Sequence, residues 1–253
     1  YNSLLEADRK RLHQAVGEAL EDLYADQLAS LDLAPILGQH FFAAGDAPRA
    51  FKYYSLAGDA ALASYANREA ESRYRKALTL ARSDSERAPL LFGLGQALDG
   101  QSRSEESIQI WREGIDIHRT MGPESSEDVA RLYARSARAA WEGGNTPQSL
   151  ILCQEGLEVV ADAPHSPGLA LLVHEAARAY LFNGLVDEAR PLCQQALEMA
   201  EQLGIVDVQA DALATMGLLP DQHLESSLQA LTRAVEIAES AELLSHAARA
   251  HTN

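Results

Sequence analysis

Arg131, Arg135 and Arg138 recur at i, i+4 and i+7. On an α-helix that spacing gathers them into one stripe about 60° wide. Guanidinium groups grip carboxylates and phosphates through paired hydrogen bonds, so the chemistry such a stripe offers is anion binding. Trp141 follows one turn later, and His174 and Arg178 supply two further polar candidates in the next helical stretch. Glu142 lies on the same stripe and Glu175 is nearby. A second reading therefore stands beside the first: the arginines pair with acidic neighbours, each exposed pair contributing ~0–1 kcal/mol.

Other chemistry finds less support. Gly93-x-Gly95 with Gly100 has the look of a phosphate loop, but no Lys-Ser/Thr follows it and no strand precedes it. The eight histidines, His13, His40, His118, His165, His174, His223, His246 and His251, include no HxxxH or HExxH spacing. No metal site, cofactor or catalytic residue is expected. Glu105-Glu106 and Glu124–Asp128 read as solvated helix starts.

The elements that must hold these residues are helical. Only 6% of the 253 residues are aromatic, and no strand-period alternation persists beyond a few positions. Two cysteines are too few for a disulfide framework and fit a reducing, cytoplasmic setting. No apolar run approaches the ~18–20 residues of a membrane span. The formal net charge is −16, from 37 acidic and 21 basic residues, which opposes direct binding to nucleic acid or anionic lipid.

One pattern recurs along the chain. In the stretch 169–204, small or aromatic residues fall at Ala177, Tyr180, Gly184, Ala189, Cys193 and Ala196. The 8–11–15–20–24–27 spacing of small and large residues resembles the tetratricopeptide repeat (TPR), a helix–turn–helix unit that buries its apolar face only against its neighbours. Gly38, Phe41, Gly45, Ala50, Tyr54 and Ala57 fill the same slots, as do Ala137, Ala140, Gly144, Ser149, Cys153 and Gly156. Gly95, Leu98, Ser107, Trp111 and Gly114 match with Ser102 in the turn slot, and Thr215, Leu218, Ser227, Leu231 and Ala234 match with Pro220 shortening the first helix. Repeats are thus expected over 31–64, 58–84 (irregular), 88–121, 130–163, 170–203, 208–241 and, in part, 242–253, behind an N-terminal helix within 1–30. The irregular step places one helix from Pro48 through Ala63 and a cap at Asn67. The period is about 40 residues rather than the usual ~34, as in kinesin light chains, with the excess in the second helices. The expected fold is an all-α, right-handed superhelical solenoid of about thirteen helices.

This resemblance reassigns several residues. Gly95 becomes a packing position and Trp111 a core residue. Cys153 and Cys193 share one slot in successive repeats, whose helices stand ~8–10 Å apart, beyond the ~7 Å limit for a disulfide; they read as buried thiols. In TPR arrays slots 2, 5, 9, 12 and 13 of each first helix face the groove. That implies groove positions for Arg131, Arg138, His174 and Arg178, with Arg135 between them and Trp141 beside slot 12.

The first 80 residues carry a narrower resemblance. Tyr1-x-Ser3-Leu4-Leu5, Arg11-x-His13, Glu21, Gly38-x-His40-Phe41 and Ala44-Gly45-Asp46 resemble the passage into the TPR sensor of STAND signalling ATPases, a group that includes MalT-like and cyclase-associated regulators. The resemblance implies a non-catalytic sensor or scaffold region of a larger ATPase that controls its activation or oligomerisation, with any ATPase activity outside this stretch. A start at Tyr1 and an end inside a helix fit a fragment. The expected partner is a protein or peptide with acidic groups, or a small anionic inducer. Open repeat ends at Leu243, Leu244, Ala247 and Ala248 point to self-association. The alternative is a free-standing peptide-binding adaptor of co-chaperone type, although its Lys/Asn clamp is missing.

Overall fold

A computed structural model of the chain describes residues 2–24, 33–220 and 224–252. Among these residues there are no strands, and thirteen α-helices follow one another. They are α1 (Asn2–Leu23), α2 (Ala34–Ala44), α3 (Ala47–Ala63), α4 (Asn67–Leu78), α5 (Asp84–Asp99), α6 (Ser104–Met121), α7 (Ser126–Glu142), α8 (Thr146–Val159), α9 (Pro167–Phe182), α10 (Val186–Leu203), α11 (Val206–Gly217), α12 (Leu224–Ser240) and α13 (Leu244–Thr252). A 3₁₀ turn at Pro123–Ser125 precedes α7. The chain forms two compact units, 1–114 and 115–253. No described helix is long and apolar enough to cross a membrane.

In the first unit the small–large pattern works as close packing. A Cβ added at Gly38 would come within 2.8 Å of the Tyr54 ring, and one at Gly58 within 2.7 Å of Tyr74. Both tyrosines are fully buried. Gly95 is the tightest case: its Cβ would stand 2.1 Å from Trp111 Nε1, which donates to the Phe92 carbonyl at 3.1 Å. The GxG stretch is therefore the interior of α5 and not a loop. Gly95→Ala is expected to cost about 1–3 kcal/mol by overpacking around an indole that cannot withdraw; a urea midpoint unchanged from wild type would contradict this.

Turns obey one rule. Gly45, Gly144 and Gly184 all have positive φ, and Ser102, which stands in the same slot, adopts φ 59° as well. The turn requires the left-handed region, which glycine enters without strain. Asp46 and Asn145 cap the helices that follow, accepting from Arg49 N–H and Gln148 N–H. Asn67 is not the cap expected of it. Ala66 occupies that position, and the Asn67 amide instead donates to the Gly100 carbonyl at 2.9 Å. The long α3 runs to Ala63 as the irregular step requires, packing against both α2 and α4. α11 ends at Gly217, three residues before Pro220.

α1 docks on α2 through Gly17, which meets the Phe41 ring, and through Leu20. Glu21 accepts hydrogen bonds from Tyr53 and Arg49, and the His13 and His40 Nδ1 atoms lie 3.1 Å apart. Leu12, Val16, Leu20, Leu23 and Tyr24 form an apolar stripe along this N-terminal stretch, but Leu12, Val16, Leu23 and Tyr24 are exposed and Leu20 is the one of the five that reaches the core. The rest of the N-terminal stretch up to residue 30 and the start of the repeat at 31 lie outside the described residues.

In the second unit α7, α9, α11 and α13 are the first helices of successive pairs, each in contact with the next. α8, α10 and α12 cover them. Gly156 admits Tyr133 on one such contact. α10 closes at Gly204 with φ 69° and a backbone N–H that reaches the last helical carbonyls. The seams are rich in alanine, with Ala130, Ala137, Ala170, Ala176, Ala177, Ala189 and Ala196 fully buried. At the end of the unit Ala247 is buried, whereas Leu244 and Ala248 are exposed.

Candidate functional site

α9 carries three polar side chains inside an otherwise apolar run, and all three are buried: His174 at 0%, Glu175 at 1% and Arg178 at 2% exposure. A charge in that position costs several kcal/mol unless it is paired and hydrogen-bonded. Each of these finds partners from other first helices. Glu175 Oε2 accepts from Arg178 one turn along, and Oε1 accepts from Arg138 Nη1 of α7 at 3.3 Å. Arg138 also donates to Glu142 at 2.9 Å and stands 3.6 Å from Asp211 of α11. Asp211, 4% exposed, accepts from Arg249 Nη1 of α13 at 2.7 Å and lies 3.8 Å from His246. One network thus ties α7, α9, α11 and α13 together.

Thr215 fixes the protonation pattern. Its hydroxyl donates to the Asp211 carbonyl at 2.9 Å, so its oxygen accepts from Arg249 Nη2 at 3.0 Å and from His174 Nε2 at 3.2 Å. That assignment makes His174 the Nε2–H tautomer. Its Nδ1 has no hydrogen-bond partner among the described residues and sits 3.8 Å from Glu175. Burial pulls the imidazole pKa down to about 4, although Asp211 and Glu175 oppose the shift. Burial also lowers the Arg178 pKa, countered by Glu175. For Asp211, burial pushes upward, but His174, Arg249, His246 and Arg138 together hold the carboxyl below its ordinary value.

The network meets the surface at an aromatic pair. The Arg178 guanidinium lies 4.4 Å from the Trp141 ring centroid, on one face of the indole. Trp141 in turn stands 5.4 Å from Phe182, the rings tilted by 33°. Phe182 is 44% exposed and Trp141 partly so. Beside them Arg131 pairs with Glu127 and Asp128 of its own helix, while Arg135 is exposed and forms no ion pair among the described residues.

The six residues singled out by spacing therefore divide. Arg138, Trp141, His174 and Arg178 come together in one cluster. Arg131 and Arg135 lie further along the α7 stripe. Glu175, named above only as an acidic neighbour, completes the arrangement with Asp211, Thr215, Arg249 and Phe182, which were not singled out; the Glu-x-x-Arg pair inside the apolar run Leu169–Phe182 was the signal for Glu175. Elsewhere Cys153 and Cys193 are both buried and free, their thiols raised chiefly by burial. No group of three His, Cys, Asp or Glu side chains among the described residues could hold a metal ion.

Helix pairs with left-handed turns, small residues facing large ones and stacked first helices define a TPR-like repeat array. The chain resembles solved arrays of that kind at the level of fold. RapI superposes with a TM-score of 0.64 at 16% identity over 83% of this chain, which spans 62% of RapI. The Rap conjugation gene regulator of the plasmid pLS20, in complex with the Phr* peptide, gives 0.57 at 13% identity, covering 98% of this chain and 72% of that one. A STAND protein with a TPR sensor from Pyrococcus horikoshii gives 0.59 at 14% identity, covering 92% of this chain but 37% of the other. No protein-family model and no curated relative matches the sequence.

Proposed function

We propose that this chain is a non-catalytic docking region, the sensor or scaffold of a larger STAND-type signalling ATPase, and that it binds a peptide or protein segment along α7 and α9. The observation that carries this reading is the α7–α9 face itself, where Arg135, Arg138 and Trp141 are accessible on a base held by buried ion pairs. Preorganised groups of this sort raise affinity because little ordering remains to be done on binding. The fold shared with a Rap regulator solved with the Phr* peptide supports a peptide ligand. The fold shared with a STAND TPR sensor, together with the motifs of residues 1–80, supports the signalling role. A negatively charged chain with a local cationic stripe favours acidic partners, a small anionic inducer being the minimal form, and the setting is cytoplasmic.

The test is selection of short random displayed peptides on the immobilised chain, followed by photo-crosslinking of the enriched sequences. Crosslinks are expected on α7 and α9, with weaker capture by Arg135→Glu. Failure to enrich any peptide, or crosslinks confined to other helices, would overturn the docking assignment. In the full-length protein an enriched peptide is expected to alter nucleotide turnover or oligomerisation; binding without either effect would remove the sensor role.

A further inference from the structure

Trp141, Phe182 and Arg135 are accessible, yet they differ in what lies behind them. Trp141 has one face on the Arg178 cation, and Arg178 is fixed by Glu175 in the interior. A second cation stacked on this indole would meet a like charge, so the open side of the Trp141–Phe182 pair suits an uncharged apolar side chain. Arg138 stands between the two ends of the surface, but its charge is already answered by Glu142, Glu175 and Asp211. Arg131 is answered by Glu127 and Asp128. Arg135 alone on this stripe has no ion pair among the described residues.

The spacing of the two features sets the spacing of their ligand. Arg135 and Trp141 are six positions apart on α7, about 9 Å along the helix axis and about 120° around it. Side chains so placed on a helix ~10–12 Å across end about 13 Å apart, and an extended peptide places residues i and i+4 on the same side about 13 Å apart. We propose that this face, taken as the peptide-docking surface argued above, reads a two-part element: a carboxylate on Arg135 and an apolar side chain four residues away on Trp141 and Phe182. The carboxylate is that of an aspartate or glutamate, or of a peptide C-terminus.

The displayed-peptide selection tests this directly. Enriched sequences are expected to share an acidic residue, or a free C-terminus, four positions from Leu, Ile, Met or Phe. Synthetic copies of the tightest sequence, prepared as the free acid and as the amide, separate the two sources: a loss on amidation assigns the terminus, and a loss on Glu→Gln within the peptide assigns the side chain. Binding is read from Trp141 emission, since Trp111 is fully buried. Phe182→Ala is expected to weaken binding about tenfold and Arg135→Gln about threefold. Both residues are exposed, so both variants should fold; Arg131→Ala should bind as wild type. Where the acidic side chain is the source, Arg135→Glu should recover binding to a peptide whose glutamate is changed to lysine. Peptides that crosslink to α7 and α9 but share no acid–apolar spacing, or that bind Phe182→Ala unchanged, would overturn this inference and leave the docking assignment standing. Failure of all peptides on this face is the separate result that removes the docking assignment itself.

Discussion

Arg178→Ala is expected to destabilise the second unit by about 3–5 kcal/mol, because it strands a buried carboxylate. Glu175 would keep only the 3.3 Å contact from Arg138, whose guanidinium is already divided among three acids. The indole of Trp141 would lose its cationic floor as well. By comparison, truncating Arg131, whose partners lie on its own exposed helix face, should cost no more than ~1 kcal/mol. Arg178→Met combined with Glu175→Gln is the informative companion, since removing both charges removes the desolvation cost along with the attraction. It should recover most of the loss. Urea unfolding monitored by hydrogen exchange on α9 measures all three variants; an Arg178→Ala protein within ~1 kcal/mol of wild type would show that the pair contributes little. For the same reason a reversal to glutamate, harmless on an open surface, is the wrong probe of binding at this position, and Arg135 takes its place.

Acid should weaken the second unit from just below neutral pH. His174 is neutral in the folded protein down to about pH 4, while in the unfolded chain it protonates near its ordinary 6.5. Between those values the unfolded state holds more protons, so stability rises with pH and falls on acidification. From pH 7 to pH 5 the loss should be about 2 kcal/mol, at ~1.4 kcal/mol per unit below the unfolded pKa. The groups facing the ring do not reverse this. Glu175 on α9 and Asp211 on α11 favour the imidazolium, Arg178 and Arg249 oppose it, and burial exceeds them all. Asp211, held below its ordinary value of 3.8, adds its own loss only at lower pH. His40 in the first unit, lowered by burial and by His13, shifts stability in the same direction. His174→Gln should flatten the slope in hydrogen exchange of α9 and α11 between pH 7 and 5; a slope as steep as wild type would exclude His174 as its source.

How much of this could be read from residues alone follows from the range of each interaction. The helix pairs were legible because their determinants are local and periodic: Gly38 under Tyr54 and Gly95 under Trp111 are sixteen residues apart in the same slots of different repeats. Ser102 departs from the glycine of the turn slot, and the backbone there is left-handed all the same. The charged cluster was half legible. The arginine stripe and the presence of Glu142 and Glu175 beside it could be seen, and both were weighed. Burial of the pair Glu175–Arg178 could not be derived from its own helix, because the indole under Arg178 and the second guanidinium on Glu175 both arrive from α7. On α1 the limit is the opposite one: amphipathicity shows that a face is apolar without showing what lies opposite, and of its stripe Leu20 meets the core while Leu12, Val16 and Leu23 do not.

The buried network has one more consequence, which concerns alignment. Seams built from alanine are smooth. A first helix sliding along its neighbour by one turn, about 5.4 Å, would exchange one small apolar side chain for another at almost no loss of contact. Asp211 makes that slip prohibitive, because its guanidinium partners come from α13 and α7 and would be displaced, while Glu175 would keep Arg178 of its own helix but lose Arg138 of α7. The charges act as an index mark along the stack, so that Trp141 and Phe182, contributed by different helices, arrive opposite each other in a single register.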